Sequence, residues 1–241
     1  PTSEGLKRIL KKQIAKELEV EDNQIIFLGA STDEMIPTGA ATASCGISIL
    51  PDLIEKCCTG IKNQRFRKPL PIIVSKTYKL PRSKDWDNET LMGSPFISET
   101  PGACVIELEL DPSTYQIIVR GIWFACDPGK IYSKKMVHRN IHKTIANAVS
   151  NISVEDIREN NLLPSNYKII ATGAIPPIID FILDSELKTR GLGELAESLV
   201  PAAYISALNQ IMINHKRIDF LPVFTEDIFN AVTKSEAVDE D

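Results

Sequence analysis

Between residues 4 and 18, Leu6, Ile9, Leu10, Ile14 and Leu18 recur at helical spacing, and Lys7, Lys11, Lys12 and Lys16 fill the opposite face, so this stretch predicts an amphipathic helix. Gln24 to Leu28 is a short apolar, branched run between turn formers and reads as a buried strand. Residues 31–41 are loop by composition, with Pro37 and Gly39. From Thr42 through Ile49, Leu53 and Ile54 to Cys58 the pattern predicts a second helix, bent or restarted near Pro51. Residues 71–80 look like a strand, and 81–101 form a long polar loop. Two alternating segments, 103–111 and 115–126, flank Pro112-Ser113-Thr114 and predict a hairpin, with Val105, Glu107 and Glu109 on one face and Ile106, Leu108 and Leu110 on the other. Met136, Ile141, Ile145, Ala148 and Val149 predict a helix over 133–151, and Ile178 to Leu183 a strand. A final helix is expected over about 198–213, with Ser198 as N-cap and Pro201 in its first turn. Helices and strands mix without strict alternation, which gives an α+β chain of mixed sheets with packed helices. The expected organisation is one domain over 1–234, divisible into two lobes (1–65 with 160–234, and 66–159), and an acidic disordered tail at 235–241.

Composition narrows the function classes. The 241 residues are 43% hydrophobic and 24% charged, ordinary globular values that exclude collagen-like, disordered and disulfide-scaffold classes. A net charge of -5 argues against a nucleic-acid binder, because phosphate neutralisation needs a basic surface. Five cysteines, at 45, 57, 58, 104 and 126, form no CxxC pair and no zinc spacing, and a reduced, cytoplasmic chain is expected. No apolar run is long enough to span a bilayer, so no membrane is expected either. The start at Pro1 without Met reads as a cut inside a longer polypeptide.

Three segments are candidates for chemistry. Gly191-Leu192-Gly193-Glu194 puts two glycines, which let backbone approach a ligand, directly before a carboxylate; a plain turn before the last helix is the bland alternative. Thr38-Gly39-Ala40-Ala41-Thr42-Ala43-Ser44 is a run of small residues at a helix start, suited to an anion or to close packing, and it lacks the GK[ST] ending of a P-loop. Lys130, Lys134, Lys135, Arg139 and Lys143, with His138 and His142, fall in a window from Pro128 to Val154 that holds no acid; it suits phosphate or an acidic partner, or is simply a solvated face. His138 and His142 stand at i, i+4, but no nearby carboxylate or cysteine in the sequence completes a metal site, and none is expected.

Taken in order, the segments resemble the C-terminal molybdopterin-binding region of the molybdenum hydroxylase family, which includes xanthine dehydrogenases and aldehyde oxidases. Glu4-Gly5-Leu6 through Gln13-Ile14-Ala15 is similar to the family's Gly-Gln-Gly segment and the helix after it. Ser31-Thr32-Asp33 through Pro37 to Thr42-Ala43-Ser44 resembles its cofactor loop. Gly93-Ser94-Pro95-Phe96, Asp127-Pro128-Gly129 and Gly173-Ala174-Ile175-Pro176 fall where similar family segments fall. Gly191 to Glu194, with Pro201-Ala202-Ala203 and Leu221-Pro222, resembles the Gly-Glu motif and terminal helix. The resemblance implies a molybdenum-pterin cofactor, contacted by Gly5, Thr42, Ala43, Ser44, Asn140, Gly191 and Gly193. It implies Glu194 as the catalytic base in oxidation of an aromatic heterocycle or aldehyde with water-derived oxygen. The implied partners are an N-terminal molybdopterin-binding half, iron–sulfur and flavin domains or subunits, and a small-molecule substrate. The sequence departs from the family pattern where Leu195-Ala196 replace the prolines after Gly-Glu, and where Arg139-Asn140 and Lys143 replace Gly-Gln and further glycines. Those basic residues suit direct contact with cofactor phosphate, or a non-catalytic relative that kept the fold as an assembly or interaction module.

Overall fold

The computed structural model describes residues 3–28, 44–79, 86–93, 98–153 and 175–236. The expected cofactor-loop residues Thr42 and Ala43, the loop over 31–41 and the last five residues of the tail lie outside them, as do Gly173 and Ala174. Residues divide into two compact units: Pro1–Thr100 with Gly129–Ser133 and Glu186–Gly193, and Pro101–Pro128 with Lys134–Ser185 and Glu194–Asp241.

The first unit is built on two helices, α1 (Glu4–Leu18) and α2 (Cys45–Gln64). Ser3 caps α1 by accepting from the Leu6 N–H at 3.3 Å, and Glu19 ends it in the left-handed region at φ 57°. Leu10 and Ala15 are its buried positions, and Cys58 and Pro51 those of α2. At Gly46 a Cβ would stand 2.8 Å from Leu6 Cδ2, so glycine permits the helices to approach. Pro51 sits inside one continuous helix, where the missing N–H costs a bond to Ile47, while its own carbonyl accepts from Gln13 Nε2 at 2.9 Å. Two expected strands do not form among the described residues. Asp22–Gln24 is a 3₁₀ turn, and residues 25–28 continue as irregular chain with Ile26 and Leu28 strongly exposed. Residues 71–79 also pair with no strand among the described residues. A branched run favours extended backbone, but a strand exists only with a ladder partner.

The second unit holds a three-stranded sheet, β1 (Gly102–Leu110), β2 (Ile117–Cys126) and β3 (Ile178–Ile182), in the order β1-β2-β3. The expected hairpin forms: β1 and β2 are antiparallel, and β3 runs parallel to β2. Glu107 faces Gly121 and Leu108 faces Val119, so Arg120 is an extra bulge residue on β2, and it pairs with Glu109. One sheet face carries Ile106, Ile122, Phe124 and Cys126, all buried. Helices α3 (Lys134–Ser153), α4 (Leu195–Ile211) and α5 (Thr225–Glu236) add Ile141, Ile145, Val200, Tyr204, Leu208 and Ile228 to this core. Fully burying such a side chain is worth roughly 1.5–3 kcal/mol.

Helix α4 begins a turn earlier than Ser198 suggests, with Glu194 in the capping position, and Pro201 lies in its interior. Burial of Ala196, Val200, Tyr204 and Leu208 outweighs the cost of an interior proline, roughly 3 kcal/mol. Against β1 the approach is close: a Cβ on Gly102 would stand 3.0 Å from Leu195 Cδ2 and from Leu199 Cδ1. It is not the last helix, because α5 follows, started by Asp227 Oδ2 accepting from the Phe224 N–H at 2.9 Å. Asn209 ties the chain between α4 and α5 by donating to the Ile218 carbonyl at 2.8 Å and accepting from the Ile218 N–H at 3.0 Å. Among the described residues no helix is long and apolar enough to cross a membrane.

Candidate functional site

The glycine pair occupies a segment pinned at several points within the first unit. Lys130 N–H donates to the Leu187 carbonyl at 2.9 Å, Thr189 Oγ1 to the Lys130 carbonyl at 3.0 Å, and Lys188 Nζ stands 2.5 Å from Asp52. Thr100 Oγ1 donates to the Gly191 carbonyl at 2.6 Å. Gly193 has φ 35°, a conformation that side chains disfavour, and its N–H donates to Ser44 Oγ at 2.9 Å. Ser44 itself has φ 61° and precedes α2 without capping it, so its hydroxyl is committed to Gly193 rather than to the helix.

Two sequence-predicted residues separated by 149 positions, Ser44 and Gly193, are therefore in direct contact. Gly191 belongs to the same pinned segment. Gly5 lies in the first turn of α1, half-buried. Glu194, the next residue after Gly193, is exposed; its carbonyl accepts from the Ser198 N–H at 3.1 Å and the Ser198 hydroxyl at 3.3 Å. The Glu194 carboxylate makes no capping bond and has no partner among the described residues, which leaves it available to a ligand. Asn140 is exposed on α3, and its backbone carbonyl accepts from Thr144 Oγ1 at 3.0 Å. Arg139 and Lys143 are exposed on the same helix. A polar cavity of about 510 Å³ beside α2, lined by Asp52, Glu55, Lys56 and Lys76 among others, contains none of the predicted site residues.

Sequence reasoning missed two side chains. Thr100 fixes Gly191 across 91 residues, a contact with no local signal. Asp180 on β3 contacts both histidines of α3: it pairs with His138 Nδ1, and its Oδ1 lies 3.6 Å from His142 Nε2. The carboxylate absent from the sequence neighbourhood of the histidine pair is supplied by the fold, 42 residues away from His138. Even so, no group of three or more His, Cys, Asp or Glu side chains among the described residues is placed to hold a metal ion. Three of the cysteines are not activated: burial pushes the Cys104 and Cys126 thiols up to about 11, and burial also raises Cys58.

The residues that are described fit a pterin-bound metal group in kind. Within the first unit, glycine backbone without side chains and a hydroxyl that fixes the turn leave room for a large polar cofactor, and Glu194, next in the sequence, carries a carboxylate suited to proton transfer.

Neither a protein-family model nor a curated protein matches the sequence. Solved structures do. The aldehyde oxidoreductase from Desulfovibrio gigas matches with a TM-score of 0.73 and 20% identity, over 93% of this chain and 27% of that one. The aldehyde oxidoreductase from Desulfovibrio desulfuricans ATCC 27774 matches with a TM-score of 0.76 and 19% identity, over 94% and 27%. A Cu,Mo-CO dehydrogenase matches with a TM-score of 0.53 and 13% identity, over 96% and 28%. The chain thus spans little more than a quarter of these enzymes' length, and over that segment it has the fold of the two aldehyde oxidoreductases and of the Cu,Mo-CO dehydrogenase.

Proposed function

We propose that the chain is the C-terminal molybdopterin-binding part of a molybdenum hydroxylase that oxidises an aromatic heterocycle or aldehyde with water-derived oxygen. The observation that carries this reading is the contact of the Ser44 hydroxyl with Gly193, immediately before an unpartnered Glu194, in a chain with the fold of molybdenum enzymes. When bound, the molybdenum-pterin group accepts the electrons removed from substrate. The chain's own residues do the rest. Gly191 and Gly193 give the cofactor room to approach the backbone, and Ser44 and Thr100 hold that backbone in place. Glu194 takes up a proton at its carboxylate as oxygen is transferred. Gly5, Thr42, Ala43 and Asn140 complete the set that contacts the cofactor. An N-terminal molybdopterin-binding half and iron–sulfur and flavin domains or subunits are the expected partners.

The test is Glu194→Gln in the intact enzyme. Amide keeps the shape and removes the basicity, so turnover should fall about 100-fold or more, with cofactor content unchanged. Unchanged turnover with cofactor bound would remove Glu194 from the catalytic role. A second reading, a non-catalytic relative that kept the fold as an interaction module, is favoured by the exposed Arg139 and Lys143 on α3, where the family pattern has glycines. Stoichiometric molybdenum in the purified parent protein would exclude it.

A further inference from the structure

Helix α3 carries two parallel columns of basic residue types, each at i, i+4, i+8. Lys134, His138 and His142 make the first, and Lys135, Arg139 and Lys143 the second, one residue and so about 100° further round. The first column is matched by acids from β3 and the residues just beyond it. Lys134 Nζ lies 3.6 Å from Asp184 Oδ2, His138 pairs with Asp180, and His142 Nε2 lies 3.6 Å from Asp180 Oδ1. The second column is exposed and has no acidic partner among the described residues. The first turn of α3 contains no acid, and Lys134 and Lys135 stand there at the positive end of the helix dipole, where cations are disfavoured. Helix stability therefore does not account for them.

The matched column shows what the unmatched one fits. Eight helical residues advance about 12 Å, and four residues of extended chain about 13 Å, so Asp180 and Asp184 span the first column from end to end. The same arithmetic fits alternate residues of an extended chain, about 6.6 Å apart, to the roughly 6 Å steps from Lys135 to Arg139 to Lys143. We infer that the Lys135-Arg139-Lys143 column is a docking surface for an extended acidic segment of a partner protein, with carboxylates at alternate positions. Charge complementarity selects this occupant: three unpaired cations in line, in a chain of net charge -5, meet three carboxylates in the register the helix presents. The inference rests on the second reading above, in which no cofactor occupies the face of α3 that carries Arg139 and Lys143.

Fluorescence anisotropy of a labelled peptide of six Asp-Ser repeats, titrated with the full chain, tests it. The account expects binding that weakens at least about fivefold between 50 and 300 mM NaCl, as screening shortens. It expects Lys135→Glu, Arg139→Glu and Lys143→Glu together to weaken binding at least about tenfold. The matching triple change on α1, at Arg8, Lys12 and Lys16, which share the i, i+4, i+8 spacing, should alter it less than about twofold, because that column begins beside Glu4, whose carboxylate meets the charge of Arg8. Circular dichroism of both variants verifies that the surface changes leave the fold intact. Equal binding by the α3 variant, no binding by the unaltered chain, equal binding of a peptide with its six Asp in one block, or tighter binding of a single-stranded oligonucleotide of equal charge would each overturn the proposal.

Discussion

Gly129, in the Asp127-Pro128-Gly129 turn, is the position at which one added methyl group should do most damage to the segment that carries the glycine pair. Its φ is 71°, and a Cβ there would lie 2.3 Å from the Lys188 carbonyl oxygen and 3.0 Å from that of Leu187. Both distances fall inside an ordinary contact of about 3.5 Å, and the obstacles are backbone atoms that no rotamer change can move. Gly129→Ala must therefore both strain the left-handed residue, at about 1–2 kcal/mol, and push the 186–193 segment away. Displacement breaks the bonds from the Lys130 N–H to Leu187 and from Thr189 to the Lys130 carbonyl, each worth about 1 kcal/mol. The combined loss is about 3 kcal/mol. Urea denaturation should register that loss, and hydrogen exchange should show the Lys130 amide opening about 100-fold faster. An alanine variant within about 0.5 kcal/mol of the parent, with Lys130 still protected, would refute the close packing of this turn on Lys188.

Phe124→Ala should cost about 3–5 kcal/mol in denaturant unfolding, since Phe124 is 1% exposed in the core of the second unit; a loss below about 1 kcal/mol would contradict that burial. Iodoacetamide at pH 8 should spare Cys104 and Cys126 in the native chain and modify both in urea, because burial holds their thiols up to about 11; native modification at the urea rate would contradict it. Asp111 is depressed to about 2, chiefly by hydrogen bonds from the Ser113 hydroxyl and N–H. A lowered native value means that its contribution is complete above the unfolded value near 4 and is lost as pH falls toward 2. Asp111→Asn should flatten the acid dependence of stability in that window, and an unchanged dependence would count against the turn's hydrogen bonds.

What the sequence discloses about this fold follows from how local each cause is. Helices α1 and α3 and the β1–β2 hairpin are legible because one buried face imposes its period on consecutive residues: Ile141, Ile145 and Val149 in α3, Ile106 opposite Ile122 in the hairpin. Residues 24–28 and 71–80 carry the same branched composition as β2, yet no neighbour pairs with the described part of either, and pairing is a property of the whole chain. The start of α4 escapes because Ser198 is a good cap in isolation, while Leu195 and Leu199 are fixed by packing at Gly102. Helix α5 escapes because only two of its apolar residues, Ile228 and Ala231, are buried, while Phe229 is exposed, so the buried face is short. In the candidate site, Gly191 and Gly193 announce themselves as glycines beside a carboxylate. Their partners Thr100 and Ser44, and the Asp180 that joins His138 to His142, are 38 to 149 residues distant and become visible only in the fold.

The most direct test of the central claim is the molybdenum and pterin content of the parent polypeptide, purified with its neighbouring domains from a host that makes the cofactor. The account predicts both near one per chain. Folded protein that contains neither, prepared beside a molybdenum enzyme that is fully loaded, would contradict it.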